Sequence, residues 1–135
     1  MQNNLEQSNR VFFEVRDYEC DMQGIVNNAV YQNYLEHARH QFIKSKGLDF
    51  AEITKQGINL VLIKAELEYK RSLKSSDTFY IQTTVERTSK LKFAFHQTVH
   101  RIADDQLMLK ATMTVTSTTP EGRPIVFEQV HLLLD

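Results

Sequence analysis

Hydrophobic and polar positions along this chain follow two periods, one giving way to the other. Residues 11–19 alternate weakly, with Val11, Phe13 and Val15 on one side and Phe12, Glu14 and Arg16 on the other, which predicts a strand. The alternation breaks at Asp21 to Gly24. From Ala29 the apolar positions Tyr31, Tyr34, Leu35, Ala38, Phe42 and Ile43 recur at i, i+3, i+4 and i+7 spacing, the mark of one helix face. Gln32, Glu36, His40 and Lys44 fall on the opposite face. Asn27 and Asn28 suit an N-cap and Gly47 suits the C-terminal cap. The spacing therefore predicts a helix over about residues 28–46.

Beyond that point period two dominates. Val61, Ile63, Ala65, Leu67 and Tyr69 alternate with Leu62, Lys64, Glu66, Glu68 and Lys70, and Phe79, Ile81, Thr83 and Val85 alternate with Tyr80, Gln82, Thr84 and Glu86. Leu91, Phe93, Phe95 and Val99, and then Leu107, Leu109, Ala111, Met113 and Val115, repeat the pattern. Four long strands, each buried on one side, are predicted. Turn signals stand between them at Lys74-Ser75-Ser76-Asp77, Thr88-Ser89-Lys90 and Ala103-Asp104-Asp105. Links this short predict antiparallel neighbours throughout. The apolar tail after Pro120-Glu121-Gly122 reads as a last strand or a short helix. The economical arrangement is α+β: an antiparallel sheet of five or six strands curled around one long central helix, as a single domain over residues 1–135. Long edge strands invite pairing with another chain, so a homo-oligomer is expected.

The chain has 135 residues, 41% hydrophobic and 24% charged, with net charge -1. That is globular composition, and it offers no basic surface for a nucleic acid. The single cysteine, Cys20, excludes an intrachain disulfide and fits a reducing, cytoplasmic setting. The polar start Met1-Gln2-Asn3-Asn4-Leu5-Glu6-Gln7 does not read as a signal peptide. No apolar run approaches the roughly 18 residues that span a bilayer.

Chemistry is best placed in Asp21-Met22-Gln23-Gly24-Ile25-Val26, just ahead of the helix. Gly24 permits backbone angles that bring successive N–H groups to a ligand. The helix start behind it carries unpaired N–H groups and the positive end of the dipole. Both stabilise an anion, including a developing oxyanion. A carboxylate beside an oxyanion site is the minimum set for hydrolysing an activated acyl group. From spacing alone, Asp21 reads first as a turn or capping residue.

The stretch Tyr18-x-x-Asp21-x-x-Gly24-Ile25-Val26-Asn27-Asn28-Ala29-x-Tyr31-x-x-Tyr34-Leu35-Glu36-x-Ala38-Arg39 resembles the signature of the 4-hydroxybenzoyl-CoA thioesterase family. Glu66-x-x-Tyr69 and Ser76-Asp77 before a strand are also similar, and the resemblance covers roughly residues 10–125. It implies the hotdog fold and acyl-CoA thioester hydrolysis without a cofactor. It further implies a homodimer with a continuous sheet and two sites, often paired into a tetramer. The aspartate matching Asp21 would act as nucleophile or as general base on water. The backbone N–H matching Asn28 would hold the carbonyl oxygen. Gly24, Ile25, Val26 and Tyr31 would contact substrate. Separately, Arg87, Lys90 and Lys92 cluster at a turn, which reads first as an ordinary solvated turn and second as a basic rim for the phosphates of CoA. The segment around Asp21 is similar to plant acyl-carrier-protein thioesterases, so an acyl-carrier-protein thioester is an alternative substrate. Those proteins carry an Asn and a His where this chain has Gln23 and Ile25, and bacterial acyl-CoA members often have a His in place of Asn28. A non-catalytic acyl-thioester-binding module is a further alternative.

Other candidates have plainer readings. Glu36 reads as a helix-surface residue with His40 at i+4. His37 and His40 share a helix face without an evident third metal ligand. His96 and His100 lie about 13 Å apart along a strand, too far to share an ion. Cys20 reads as a small packed residue. There is no Gly-x-Gly-x-x-Gly, P-loop or Gly-x-Ser-x-Gly sequence, which removes support for nucleotide-cofactor and serine-hydrolase chemistry.

Overall fold

The predicted helix forms over Asn28–Ser45 (α1) and buries the six residues its period selects: Tyr31, Tyr34, Leu35, Ala38, Phe42 and Ile43. It ends at Gly47, whose φ of +83° supplies the left-handed turn that a helix C-terminus commonly needs. The structure is a computed structural model and describes residues 9–134. The polar stretch at residues 1–7, expected not to be a signal peptide, lies outside the described residues.

Five strands form among the described residues: β1 (Arg10–Glu14), β2 (Asn59–Tyr69), β3 (Thr78–Arg87), β4 (Lys92–Arg101) and β5 (Gln106–Thr118). They make one sheet in the order β1-β3-β4-β5-β2, with every pairing antiparallel. The inward residues Phe79, Ile81, Phe93, Phe95, Val99, Leu109, Met113 and Val115 join the buried face of α1 in one core. No helix among the described residues is long and apolar enough to cross a membrane.

The register defines two ends of the sheet. Glu14 opposite Thr78, Phe79 opposite Arg101 and Tyr69 opposite Leu109 mark the end where α1 begins. Arg87 opposite Phe93 and Asn59 opposite Thr118 mark the other, where α1 finishes.

Several expectations are corrected. The first strand stops at Glu14, and a 3-10 turn at Asp17–Glu19 follows it. A second helix, α2 (Phe50–Lys55), follows α1, its start held by the Asp49 carboxylate accepting the Ala51 N–H at 2.9 Å. Six residues carry too little periodicity to reveal a helix, although Asp49 is a capping signal. The turn at residues 74–77 does not join sheet neighbours, because β2 pairs with β5 and the segment crosses the sheet to reach β3. Nor is β2 buried on one side: Val61, Leu62 and Ile63 are 40%, 41% and 47% exposed, as befits an edge strand with no covering layer in a single chain. A register shift between Leu62 and Lys64 interrupts its alternation. Of the two readings of the tail the short helix holds, as a 3-10 helix at Glu128–Leu132 that buries Val130.

Candidate active site

The segment between the 3-10 turn and α1 is a miniature hairpin. The Asp21 N–H donates to the Ile25 carbonyl at 2.9 Å, and the Gly24 N–H donates to the Asp21 carbonyl at 3.0 Å. Gly24 adopts φ +79°, which a side chain would strain although the space beside it is open. Its role is therefore backbone conformation rather than close packing. Cys20 and Val26 face each other across the hairpin as an antiparallel bridge.

Neighbouring segments fix this hairpin from two sides. The Val26 N–H donates to the Leu73 carbonyl at 3.0 Å, and Ile25 bridges to Lys74. On the helix side, the Tyr31 hydroxyl accepts the Leu73 N–H at 2.9 Å. Tyr34 donates to Glu19 Oε1 at 2.8 Å, tying the second turn of α1 back to the 3-10 turn. Burial and the Glu19 carboxylate both push the Tyr34 phenol pKa well up, so this hydroxyl is a fixed donor. The start of α1 is held at both turns.

Within that frame the Asp21 side chain is exposed. Its Oδ1 accepts the Gln23 N–H at 2.8 Å and the Ile25 N–H at 3.3 Å. Asp21 is thus a turn residue, and its Oδ2 accepts no hydrogen bond among the described residues. Met22 at the tip is fully exposed. Asn28 opens α1 and is exposed, and the first N–H groups of any helix lack intrahelical partners.

The remaining predicted site residues fall in different places. Gly24 and Ile25 stay in the Asp21 hairpin and are half-buried. Val26 is a core residue, and Tyr31 is buried behind the loop, so both support the site from beneath. Lys90 and Lys92 are exposed but lie at the opposite end of the sheet, a strand length or about 30 Å from the Asp21 end. One chain does not bring them to Asp21. The Arg87 side chain is occupied with the turn itself, donating to the Ser89 and Lys90 carbonyls at 3.2 and 3.1 Å.

The rival residues also resolve. Glu36 is exposed on the helix surface, as read, and with the half-buried His40 it borders a cavity that Arg39, Phe50 and Leu62 also line. Asp21 is not part of that lining. His37 meets the Phe13 ring and His40 meets the Phe50 ring, two different neighbours. Among the described residues no cluster of three or more His, Cys, Asp or Glu is placed to hold a metal ion. His96 is bound to Glu86 at 2.8 Å. Desolvation, then the Asp17 and Asp21 carboxylates, push the Cys20 thiol pKa up, which opposes thiolate formation.

Sequence reasoning missed Gln97. It sits in the apolar phase of β4, fully buried, and its Nε2 donates to the Leu35 carbonyl at 3.0 Å and to Thr83 Oγ1 at 3.2 Å. Its Oε1 accepts from Arg39 Nη1 at 3.2 Å. The signal was available: a lone polar residue between Phe95 and Val99 in a buried row needs partners.

A family model described as the thioesterase-like superfamily matches residues 15–128. A chloroplastic acyl-acyl carrier protein thioesterase of Arabidopsis thaliana is 30% identical over 121 residues, which are 90% of this chain and 64% of that protein. A second such thioesterase from the same plant is 32% identical over 111 residues, 82% of this chain and 59% of its own length. The chain thus spans less than two thirds of these plant relatives. The crystal structure of a hypothetical protein from Aquifex aeolicus superposes with TM-score 0.85 at 30% identity, covering 92% of this chain and 98% of that one. A 1,4-dihydroxy-2-naphthoyl-CoA thioesterase from Synechocystis superposes with TM-score 0.83 at 18% identity, covering 89% of each chain, a likeness of fold alone.

Proposed function

This chain belongs to the thioesterase-like superfamily and has the hotdog fold, and from that premise we propose that it hydrolyses an acyl-CoA thioester to the free acid and CoA. The observation that carries the reading is the Asp21 hairpin pinned against the start of α1, with Oδ1 committed to backbone N–H groups. Oδ2 is then the oxygen that acts. It attacks the thioester carbon, or it takes a proton from a water that does so. Either path passes through a tetrahedral oxyanion, which the Asn28 N–H and the helix dipole stabilise. The C–S bond breaks, and sulfur leaves as a thiolate that is later protonated; where Asp21 was the nucleophile, a water then cleaves the acyl–Asp21 anhydride, releasing the free acid and restoring the carboxylate. A thiolate is a good leaving group, so no histidine acid beside Asp21 is required.

Gly24 and Ile25 line the approach to the carbonyl. Val26 and Tyr31 hold the loop and helix start in position. Lys90 and Lys92 serve the CoA phosphates only if a second copy of the chain supplies them. A homodimer formed edge to edge through β2 would do this, since antiparallel β2 strands set the far end of one sheet beside the near end of the other. The same pairing would cover Val61 and Ile63, and two such dimers would make a tetramer. We place the enzyme in the cytoplasm, where one free thiol is stable. An acyl-carrier-protein thioester is the second substrate reading, favoured by the names of the two plant relatives.

The test is thiol release from a panel of acyl-CoAs and acyl-carrier-protein thioesters. Asp21→Asn is expected to lower kcat by about 100-fold or more, the usual worth of such a group. Equal rates for the variant and the unmodified protein remove Asp21 from the chemistry. Saturable binding without turnover favours a non-catalytic module.

A further inference from the structure

The inner face of β2 is left partly uncovered. Tyr69, Leu67, Ala65 and Leu62 pair with Leu109, Ala111, Met113 and Val115, all buried residues of the helix-facing side of β5. They therefore face the α1 side as well. Yet α1 packs chiefly against β3 and β1. Leu62 and Tyr69 remain 41% and 46% exposed.

This apolar strip has two defined ends. At one, the Tyr69 ring meets Tyr31, in the first turn of α1, edge-on at 5.5 Å. At the other lies a cavity of about 220 Å³. Ile43, Leu60, Leu62, Phe95 and Val115 form its apolar wall, and Phe50 of α2 closes it, its ring 4.8 Å from that of His40. Glu36 and Arg39 form the polar wall, with the Arg39 guanidinium held on Gln97.

We propose that this groove and cavity hold the tail of an aliphatic acyl group, making the substrate a medium- to long-chain acyl thioester. The proposal rests on the thioesterase reading and deepens it. Two independent rulers agree on the length. Along α1, Asn28 to Glu36 is about 12 Å and Asn28 to His40 about 18 Å. Along β2, Tyr69 to Leu62 is about 20 Å once the bulge is allowed for. An extended alkyl chain advances about 1.25 Å per carbon, given C–C bonds near 1.5 Å. With the thioester carbonyl at Asn28, about ten carbons reach Glu36 and about 14 reach the level of His40. A single aromatic ring ends near Tyr31 and Tyr69 and leaves the cavity unfilled. Filling it removes several methylenes from water.

The experiment measures kcat/KM for straight-chain acyl-CoAs from butanoyl to hexadecanoyl, with benzoyl-CoA for comparison. Dodecanoyl-CoA is expected to exceed hexanoyl-CoA by about tenfold or more. Leu62→Trp, at a half-exposed position that tolerates bulk, lowers that ratio by about tenfold. Phe50→Ala opens the cavity and moves the preferred length upward. Two results overturn the inference while leaving the enzyme a thioesterase: a dodecanoyl to hexanoyl ratio unmoved by both variants, or benzoyl-CoA as the best substrate. An unmoved ratio with a shift of sedimentation to monomer in Leu62→Trp assigns the groove to a second copy instead. If the unmodified protein hydrolyses no acyl thioester, the underlying reading fails and takes this one with it.

Discussion

At Asp21 two substitutions separate structure from chemistry. An Asn Oδ1 can accept the same N–H groups of Gln23 and Ile25, so Asp21→Asn keeps the hairpin. Its stability in urea is expected to stay within about 0.5 kcal/mol of the unmodified protein while activity falls. Asp21→Ala removes both bonds and is expected to cost about 1 kcal/mol as well. Gln97 makes the opposite case, a buried residue whose hydrogen bonds tie α1, β3 and β4 together. Gln97→Leu strands the Arg39 guanidinium in a desolvated setting and removes a donor from the Leu35 carbonyl and Thr83. Urea unfolding should register a loss of about 2–3 kcal/mol, because a group left buried and unpaired costs more than a hydrogen bond gains. The turn role of Asp21 was legible from its place between a broken strand pattern and a helix start, whereas its proposed chemistry came from the family resemblance. Gln97 escaped because its partners come from α1 and β3, far away in sequence.

Among the elements, α1 could be read almost to the residue. Its period, its Asn27 cap position and Gly47 are local properties, and a helix satisfies its backbone within itself. The edge strand β2 could not. Its alternation is that of a covered strand, but in one chain Val61, Leu62 and Ile63 are substantially exposed and one edge is unpaired. Such an edge is an attachment site unless guarded. Ile63→Lys is expected to weaken self-association by about tenfold or more, seen by sedimentation equilibrium as a shift to monomer. Unchanged association would place the contact elsewhere.

For the molecule as a whole, stability should decline on the acid side of neutrality. Burial is the largest cause lowering the His100 pKa; Asp105, 4.0 Å away, opposes it and Arg10 reinforces it. His40 is lowered in the same way, by burial first, with Glu36 opposing and Arg39, His37 and Lys44 adding to the effect. With folded values below the ordinary histidine value of about 6.5, the unfolded chain binds more protons through that window. Both contributions are therefore complete above about pH 6.5 and are lost as the pH falls through the folded values. Thermal melts from pH 7 down to pH 5 should show Tm falling. His100→Phe, which retains a ring to stack on Tyr80, should flatten the curve.

The local patterns of this chain sufficed for α1, for the inward faces of β3, β4 and β5, and for a loop carboxylate beside a helix start. All of these follow from side-chain periodicity and from the unpaired N–H groups every helix start presents. They did not yield the strand order, since β2 reaches past its sequence neighbour β3 to pair with β5. That choice depends on which long-range pairing buries more apolar surface, a comparison no window of sequence contains. Nor did they reveal that Asp21 keeps one oxygen bound and one available, or that Lys90 and Lys92 stand a sheet length away. Distances between segments arise only when the chain closes on itself, and a chemical site depends on those distances.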